Sequence, residues 1–374
     1  PGKRPIATRA DFRVTRSRFT VAAAGSGLKA DLSVDADLLD SFAKAAELLG
    51  LPGLEVQGFE GSAVQQAPAA APSQALIEAV RSLRSATVLV GRGLLDQHYR
   101  ESFQALASRL GWGVLNTYDV KGLFPWTSPH HLASVGLQER DLELSSIPKG
   151  AIVATIGLDP CFAWLTAGRS RLEIPLTALA GLVEALGDLG PDALAEPIPA
   201  FPPLRRLLAE LTEEGWAADA SVSPAQVTRN YAAHTANQGC VMSSSGLHAY
   251  FIARTLPSSR LCQAIVPLSA CKDEIAIAAG ILVQLIEGGK VIVAIGERER
   301  EVDAADRMAL VARAHGCSLI IERWREAEGG LDADAHAERL SAHQEGEVAM
   351  FDLPVSAEWL PSYLLAAGKI LAFT

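Results

Sequence analysis

The sequence predicts an α/β protein: two doubly wound parallel-sheet domains behind a short N-terminal remnant. Three observations carry that expectation. Unbroken apolar runs such as Ala86-Thr87-Val88-Leu89-Val90 and Val291-Ile292-Val293-Ala294-Ile295 alternate with helical patterns, as strands buried on both faces of a parallel sheet do. Two linker-like stretches, 65–73 and 191–203, divide the chain; the second holds five prolines, too many for a helix or a central strand. The 374 residues, 49% hydrophobic and 20% charged, suffice for two or three domains with sizeable cores. The expected division is an arm and remnant at 1–65, a central domain at 75–190, a linker at 191–205 and a third unit at 206–374.

The first twenty residues hold six basic side chains and one acid, Asp11, a local charge of +5; the net −10 then leaves −15 for the rest. Such a start reads as a transit peptide or as a basic arm packing on an acidic body or partner. Opening on Pro1 without Met, it reads as trimmed or processed. One helix follows, with Leu38, Leu39, Phe42, Ala46 and Leu49 on one face, Asp35 or Asp37 at its start and Gly50-Leu51-Pro52-Gly53 at its end. Strands are expected over 12–21 and 54–59.

In the central unit a helix over 73–84 leads into the strand 86–90. Gly91-Arg92-Gly93 turns the chain into a helix over 99–110, and 113–117 forms the next strand. A loop rich in Gly, Pro and His precedes a third strand over 151–157. In the third unit the expected order is helix 272–286, strand 290–296, helix 304–315, strand 317–321, peripheral strand 350–354 and cover helix 359–365.

Composition excludes several classes. A net charge of −10 argues against nucleic acid, whose backbone demands clustered Lys and Arg. The longest apolar run, 275–286, is too short to cross a bilayer and is interrupted by Gln284, so no membrane partner is expected. Five cysteines without CxxC spacing indicate free thiols in a reducing, cytoplasmic setting.

Strand–turn–helix units place ligands at the carboxyl ends of their strands. Gly91, Arg92 and Gly93 meet half of a phosphate cradle's requirement, backbone amides exposed at a helix start, and equally make a simple tight turn. Glu297, after the strand ending at Gly296, is a candidate ligand for a divalent cation, or part of a solvated charge run to Glu301. His130 and His131 are adjacent, point different ways, and fit a loop-structuring role better than one metal. His234, Asn237, Cys240 and His248 match no nucleophile motif, and Ser243-Ser244-Ser245-Gly246 reads as a serine-rich turn.

Over residues 75–374 the chain resembles the thiamine-diphosphate-dependent enzymes of the acetolactate synthase and 2-oxo-acid decarboxylase type. The strand and glycine turn 86–93, the Leu106-Ala107…Gly111-Trp112-Gly113-Val114 step, the Thr117…Lys121-Gly122…Pro125 loop and Pro129-His130…Gly136 carry the likeness, and their spacings agree jointly. The resemblance implies a central domain, which in some members holds FAD or ADP, followed by a diphosphate-binding domain. Working members carry Gly-Asp-Gly and a later Asn there, which hold Mg2+ and thiamine diphosphate. At the matching places stand Gly296-Glu297-Arg298 and Glu322-Arg323, so Gly296, Glu297, Arg298 and Arg323 are the candidate cofactor residues, with an arginine able to neutralise a diphosphate itself. No stretch matches the pyrimidine domain that supplies the family's catalytic glutamate.

Three readings follow from the resemblance. One is a degenerate member, acting through binding or assembly. Another is a lyase, carboligase or 2-oxo-acid decarboxylase subunit completed by a partner chain carrying the pyrimidine domain. The last is a different enzyme on the same scaffold, with a nucleotide or flavin at the Gly91 turn. All are expected to assemble as homo- or hetero-oligomers.

Overall fold

Three sheets organise the chain in a computed structural model that describes residues 16–23, 29–35, 39–49, 54–56, 70–147, 152–187, 222–296, 302–326, 331–355 and 367–372. The first sheet is antiparallel. Strand β1 (Arg16–Ala23) lies between β2 (Lys29–Asp35) and β3 (Leu54–Val56). Helix α1 (Leu39–Leu49) fulfils the expected pattern, with Phe42 and Ala45 fully buried in a core shared with the third unit. Strand β2 was not expected.

The central sheet is built from β4 (Thr87–Val90), β5 (Gly113–Thr117), β6 (His131–Val135), β7 (Ile152–Ile156) and β8 (Ser170–Ile174). All pairings are parallel and the order is β6-β5-β4-β7-β8. Helices α2 (Gln74–Ser82), α3 (Gln97–Leu110), α4 (Asp141–Leu144) and α5 (Leu179–Ala185) accompany it. The ends are written locally. Ser73 caps α2 by accepting from Leu76 N, Asp96 caps α3 by accepting from His98 N, and Gly111 closes α3 in the left-handed region at φ 63°. The loop expected after β5 in fact contains β6, and His131, expected to structure that loop, opens the strand. Its neighbour His130 turns the other way, onto the Trp112 carbonyl at 2.9 Å, so the two imidazoles do diverge.

The third sheet, also fully parallel, has the order β10-β9-β11-β12-β13. Its strands are β9 (Gly239–Ser243), β10 (Ala264–Ile265), β11 (Lys290–Ile295), β12 (Leu319–Glu326) and β13 (Val348–Val355). Helices α6 (Pro224–His234), α7 (Leu247–Thr255), α8 (Asp273–Glu287), α9 (Val302–Ala314) and α10 (Ala333–Ala342) pack around them. Strand β13 is an edge, as expected. The helix expected over 359–365 and the proline-rich linker lie outside the described residues. Both five-stranded sheets match the doubly wound reading. Among the described residues no helix is long and apolar enough to cross a membrane.

Helix α8 is apolar nearly all round because it is sandwiched between α1 and the third sheet. Gly280 lets it approach β11, since a Cβ there would stand 2.8 Å from Val293 Cγ2. Helix α7 is buried on every side from His248 to Thr255, lying between the central and third sheets. One core runs continuously from Leu89, Leu115 and Val135 to Val241, Ile292 and Trp324. At its polar heart Arg254 pairs with Asp141 at 2.6 Å, the side chains 1% and 0% exposed. Arg254 also donates to Ser134 O and Gln138 Oε1, while Asp141 accepts from the amides of Leu137 and Gln138. Lys121, of the Lys-Gly loop, is buried beside this group, and burial, then Arg254, pull its amine down to about 7.

Candidate functional site

The strand order of the third sheet reverses between β9 and β11, and in such sheets the crevice beyond the carboxyl ends at that point receives ligands. The chain leaves β9 through the serine turn and leaves β11 at Gly296. Ser244 Oγ lies 2.9 Å from His248 Nε2 in the first turn of α7, and both are buried. The His248 ring also lies beside Gly296, where a Cβ would stand 3.2 Å from its Cε1. Ser245 Oγ accepts from Cys271 N and donates to Ser269 O, tying the turn to the loop before α8. The serine turn is therefore structured by its own hydroxyls. Glu297 and Arg298 lie outside the described residues.

Strand β12 runs past the expected end at Ile321, so Glu322 and Arg323 point to opposite faces of the sheet. Glu322 is fully buried. It accepts from Tyr231 OH at 2.5 Å and lies 3.1 Å from His336 Nε2 through both oxygens. Asn230 Nδ2 donates to Ala333 O at 2.7 Å, which fixes its amide, and also lies 3.1 Å from His336 Nδ1. That leaves Nδ1 as the acceptor and puts the imidazole proton on Nε2, aimed at Glu322. Trp324 Nε1 donates to Tyr231 OH at 3.0 Å. Burial first, then the Glu322 charge, push the Tyr231 phenol well above its ordinary range, so it remains a donor.

On the opposite face Arg323 lies within 3.6 Å of Asp306 and 3.5 Å of Asp352. Its charge is met within the fold. A magnesium–diphosphate group needs free carboxylate or amide oxygens for the ion and uncommitted cations for the phosphates. The described residues at this end do not fit it: Glu322 is hydrogen-bonded on both oxygens, Arg323 is paired with two aspartates, and His248 lies beside Gly296. Cys240 and His248, weighed as a nucleophile pair, fall on opposite faces, Cys240 in the α8 core and His248 beside Trp324. Burial raises the Cys240 thiol and holds the His234 imidazole down at about 4.

In the central sheet the order reverses between β4 and β7, where the Gly91 turn meets Gly157. Gly91 N donates to Ile156 O and Gly93 N to Gly157 O, both at 3.0 Å. A Cβ on either glycine would come within 2.8 Å of Gly157 or Leu158 backbone atoms. These glycines serve the close approach of two turns, and their amides are committed to it. Arg92, between them, instead lines a cleft of about 350 Å3 walled by α1, by Asp119 after β5 and by the loop before α8. Neither carboxylate oxygen of Asp119 is exposed and neither has a hydrogen-bond partner. Burial pushes this carboxyl up to about 6, outweighing the lowering by Thr117 and by the Arg92 guanidinium.

The structure thus brings together pieces that spacing did not link. Tyr231, Glu322 and His336 are distant in sequence, and only the polar interruption of an apolar strand at Glu322 hinted at them. Asp119 stands inside the Thr117…Pro125 loop as an acid two residues after the buried strand β5, and that position is the local signal the sequence carries for it.

Residues 73–163 match the family model described as the thiamine pyrophosphate enzyme central domain. No curated protein matches the chain. A solved protein from Mycobacterium smegmatis, provisionally assigned as a thiamin diphosphate-dependent enzyme, superposes with a TM-score of 0.57 at 13% identity, covering 82% of this chain and 69% of that one. At that identity the likeness concerns the fold. The resemblance to the thiamine-diphosphate-dependent enzymes is borne out, by sequence over the central domain and by architecture beyond it.

Proposed function

We propose that this chain keeps the thiamine-diphosphate-enzyme scaffold but has given up the ordinary metal–diphosphate site, and that it acts as a binding or assembly subunit. The observation that carries the reading is the state of Glu322. Glu322, at the place where the resemblance expects an asparagine, is fully buried and bonded by Tyr231 and His336. Extracting it to meet a cation would leave a phenol and an imidazole buried without their acceptor, at about 1–3 kcal/mol each. Arg323, held by Asp306 and Asp352, supports the same reading, because a guanidinium already neutralised offers a phosphate little.

Isothermal titration calorimetry with thiamine diphosphate and magnesium tests this on the full chain. No saturable heat is expected. A stoichiometric isotherm that vanishes when magnesium is chelated would overturn the reading in favour of a lyase or decarboxylase subunit awaiting a pyrimidine-domain partner.

A further inference from the structure

The loop after β5 is wedged against the third unit, and it carries a lysine there without a counter-charge. Gly122, at φ 85°, lies so close under the Arg260 carbonyl that a Cβ has no room, and Trp126 N donates to Ser258 O at 2.8 Å. Between these two contacts lies Lys121, 1% exposed. Its Nζ makes one long hydrogen bond, to Ser134 Oγ at 3.5 Å, and stands 5.7 Å from the centre of the Trp126 ring. Among the described residues no carboxylate pairs with it. Arg254 of α7 bonds the same serine, donating to Ser134 O at 2.9 Å, and Asp141 is committed to Arg254. Asp119, His131, Tyr250 and Arg260 are the other titratable or charged groups on the surrounding segments, yet Arg254 is the charge that acts on the amine, and it repels. An ammonium so placed is costly, and the neutral amine far less so. The polar chain continues past Arg254. Gln138 Oε1 accepts from Arg254 and from Tyr250 OH, while its Nε2 donates to Gly368 O at 2.9 Å. Leu371 N donates to Leu137 O and Glu139 N to Lys369 O, so the C-terminal segment 367–372 is strapped along the end of β6.

We propose that Lys121 is the key of a pH-sensitive latch: it releases a proton to solvent when the third unit and the C-terminal strap close on the central sheet, and takes one up when they part. With the latch open the amine titrates at its ordinary 10.5, and with it closed at about 7. Below about pH 7 both forms hold the proton, and opening is independent of pH. From about pH 7 to 10 the open form holds one proton more, so each unit of rising pH favours closure about tenfold. The latch therefore tightens from neutral to alkaline conditions. It uses none of the residues at the third sheet's carboxyl end and goes beyond the reading given above.

Hydrogen exchange on the full chain between about pH 6 and 9, read by mass spectrometry and divided by the intrinsic rate at each pH, tests it. The peptides that report are 118–126, 137–142 and 367–372, with α2, on the outer side of the central sheet, for comparison. Their protection is expected to be nearly flat up to about pH 7 and to rise at least about tenfold by pH 9, while α2 stays level. Lys121→Met is expected to be highly protected already at pH 6 and to lose the pH dependence. Lys121→Arg, charged throughout, is expected to stay weakly protected at every pH. A flat wild-type curve, a rise shared by α2, or the wild-type rise persisting in either variant would overturn the assignment. The wild-type curve alone can do so, whether or not the variants fold.

Discussion

Replacing Arg254 by methionine is the sharpest probe of how this molecule holds together. Methionine follows the arginine stem as far as Nε and lacks the last three heavy atoms, so the packing of the stem is kept while the charge and its donors are lost. Three bonds disappear: to Asp141 at 2.6 Å, to Ser134 O at 2.9 Å and to Gln138 Oε1 at 3.1 Å. Asp141, 0% exposed, keeps the two backbone amides on Oδ2 but loses its counter-charge. Breaking a buried pair from one side costs about 3–5 kcal/mol, about two to four orders of magnitude in the folding equilibrium. The amides that remain on Asp141 place the expectation toward the lower figure. Urea unfolding of the wild type, Arg254→Met, Asp141→Asn and the double variant, followed by tryptophan fluorescence and by circular dichroism, measures the coupling. Agreement of the two probes tests whether the domains still melt as one. The double variant is expected to recover part of the loss, since it leaves no buried charge alone. A cost below about 1 kcal/mol for Arg254→Met, or strict additivity in the double variant, would refute the argument that this pair couples the domains.

Tyr231→Phe removes one donor from Glu322 and the acceptor of Trp324 Nε1, and is expected to cost about 2 kcal/mol in urea; a loss under about 0.5 kcal/mol would mean that Glu322 is satisfied otherwise. Asp119 binds its proton more tightly folded than unfolded, so its contribution is fully present below about pH 4 and is lost as pH rises through 6. The rise from an ordinary 3.8 to about 6 sets an upper bound of about 3 kcal/mol. Asp119→Asn should therefore gain stability relative to the wild type between pH 4.5 and 7.5, and a pH-independent difference between the two proteins would count against the burial argument. Gly280→Ala is expected to cost about 1–3 kcal/mol by forcing α8 off β11, with the melting temperature as the readout; an unchanged value would show that Val293 simply turns aside.

Strands flanked on both sides announced themselves. The runs that became β4, β5, β7 and β11 needed only their apolar density, and α1, α2, α3, α8 and α9 their caps and faces. The elements that escaped did so for physical reasons. Helix α7, Leu-His-Ala-Tyr-Phe-Ile-Ala-Arg-Thr, is enclosed all round, so no stripe distinguishes one side from another. Strand β8, Ser-Arg-Leu-Glu-Ile, is largely exposed and reads as polar. Strand β6 begins on a histidine two residues after a proline, and its burial comes from Trp126 and α7 rather than from its own composition. In the candidate site, Gly296 and Arg323 were legible as family positions, but their surroundings were not. The partners of Glu322 and Arg323 are set by which strands and helices become neighbours, and spacing along the chain does not encode that.

The enclosure of α7 has a practical corollary. A helix without a solvent face cannot be left attached to one half of the molecule without giving that half a large adhesive surface. Cutting the chain within 191–203 would leave two fragments, one ending after the central sheet and one beginning before α6, each exposing the apolar wall that the other covers. Such halves should be poorly soluble when made separately and should find each other when made together.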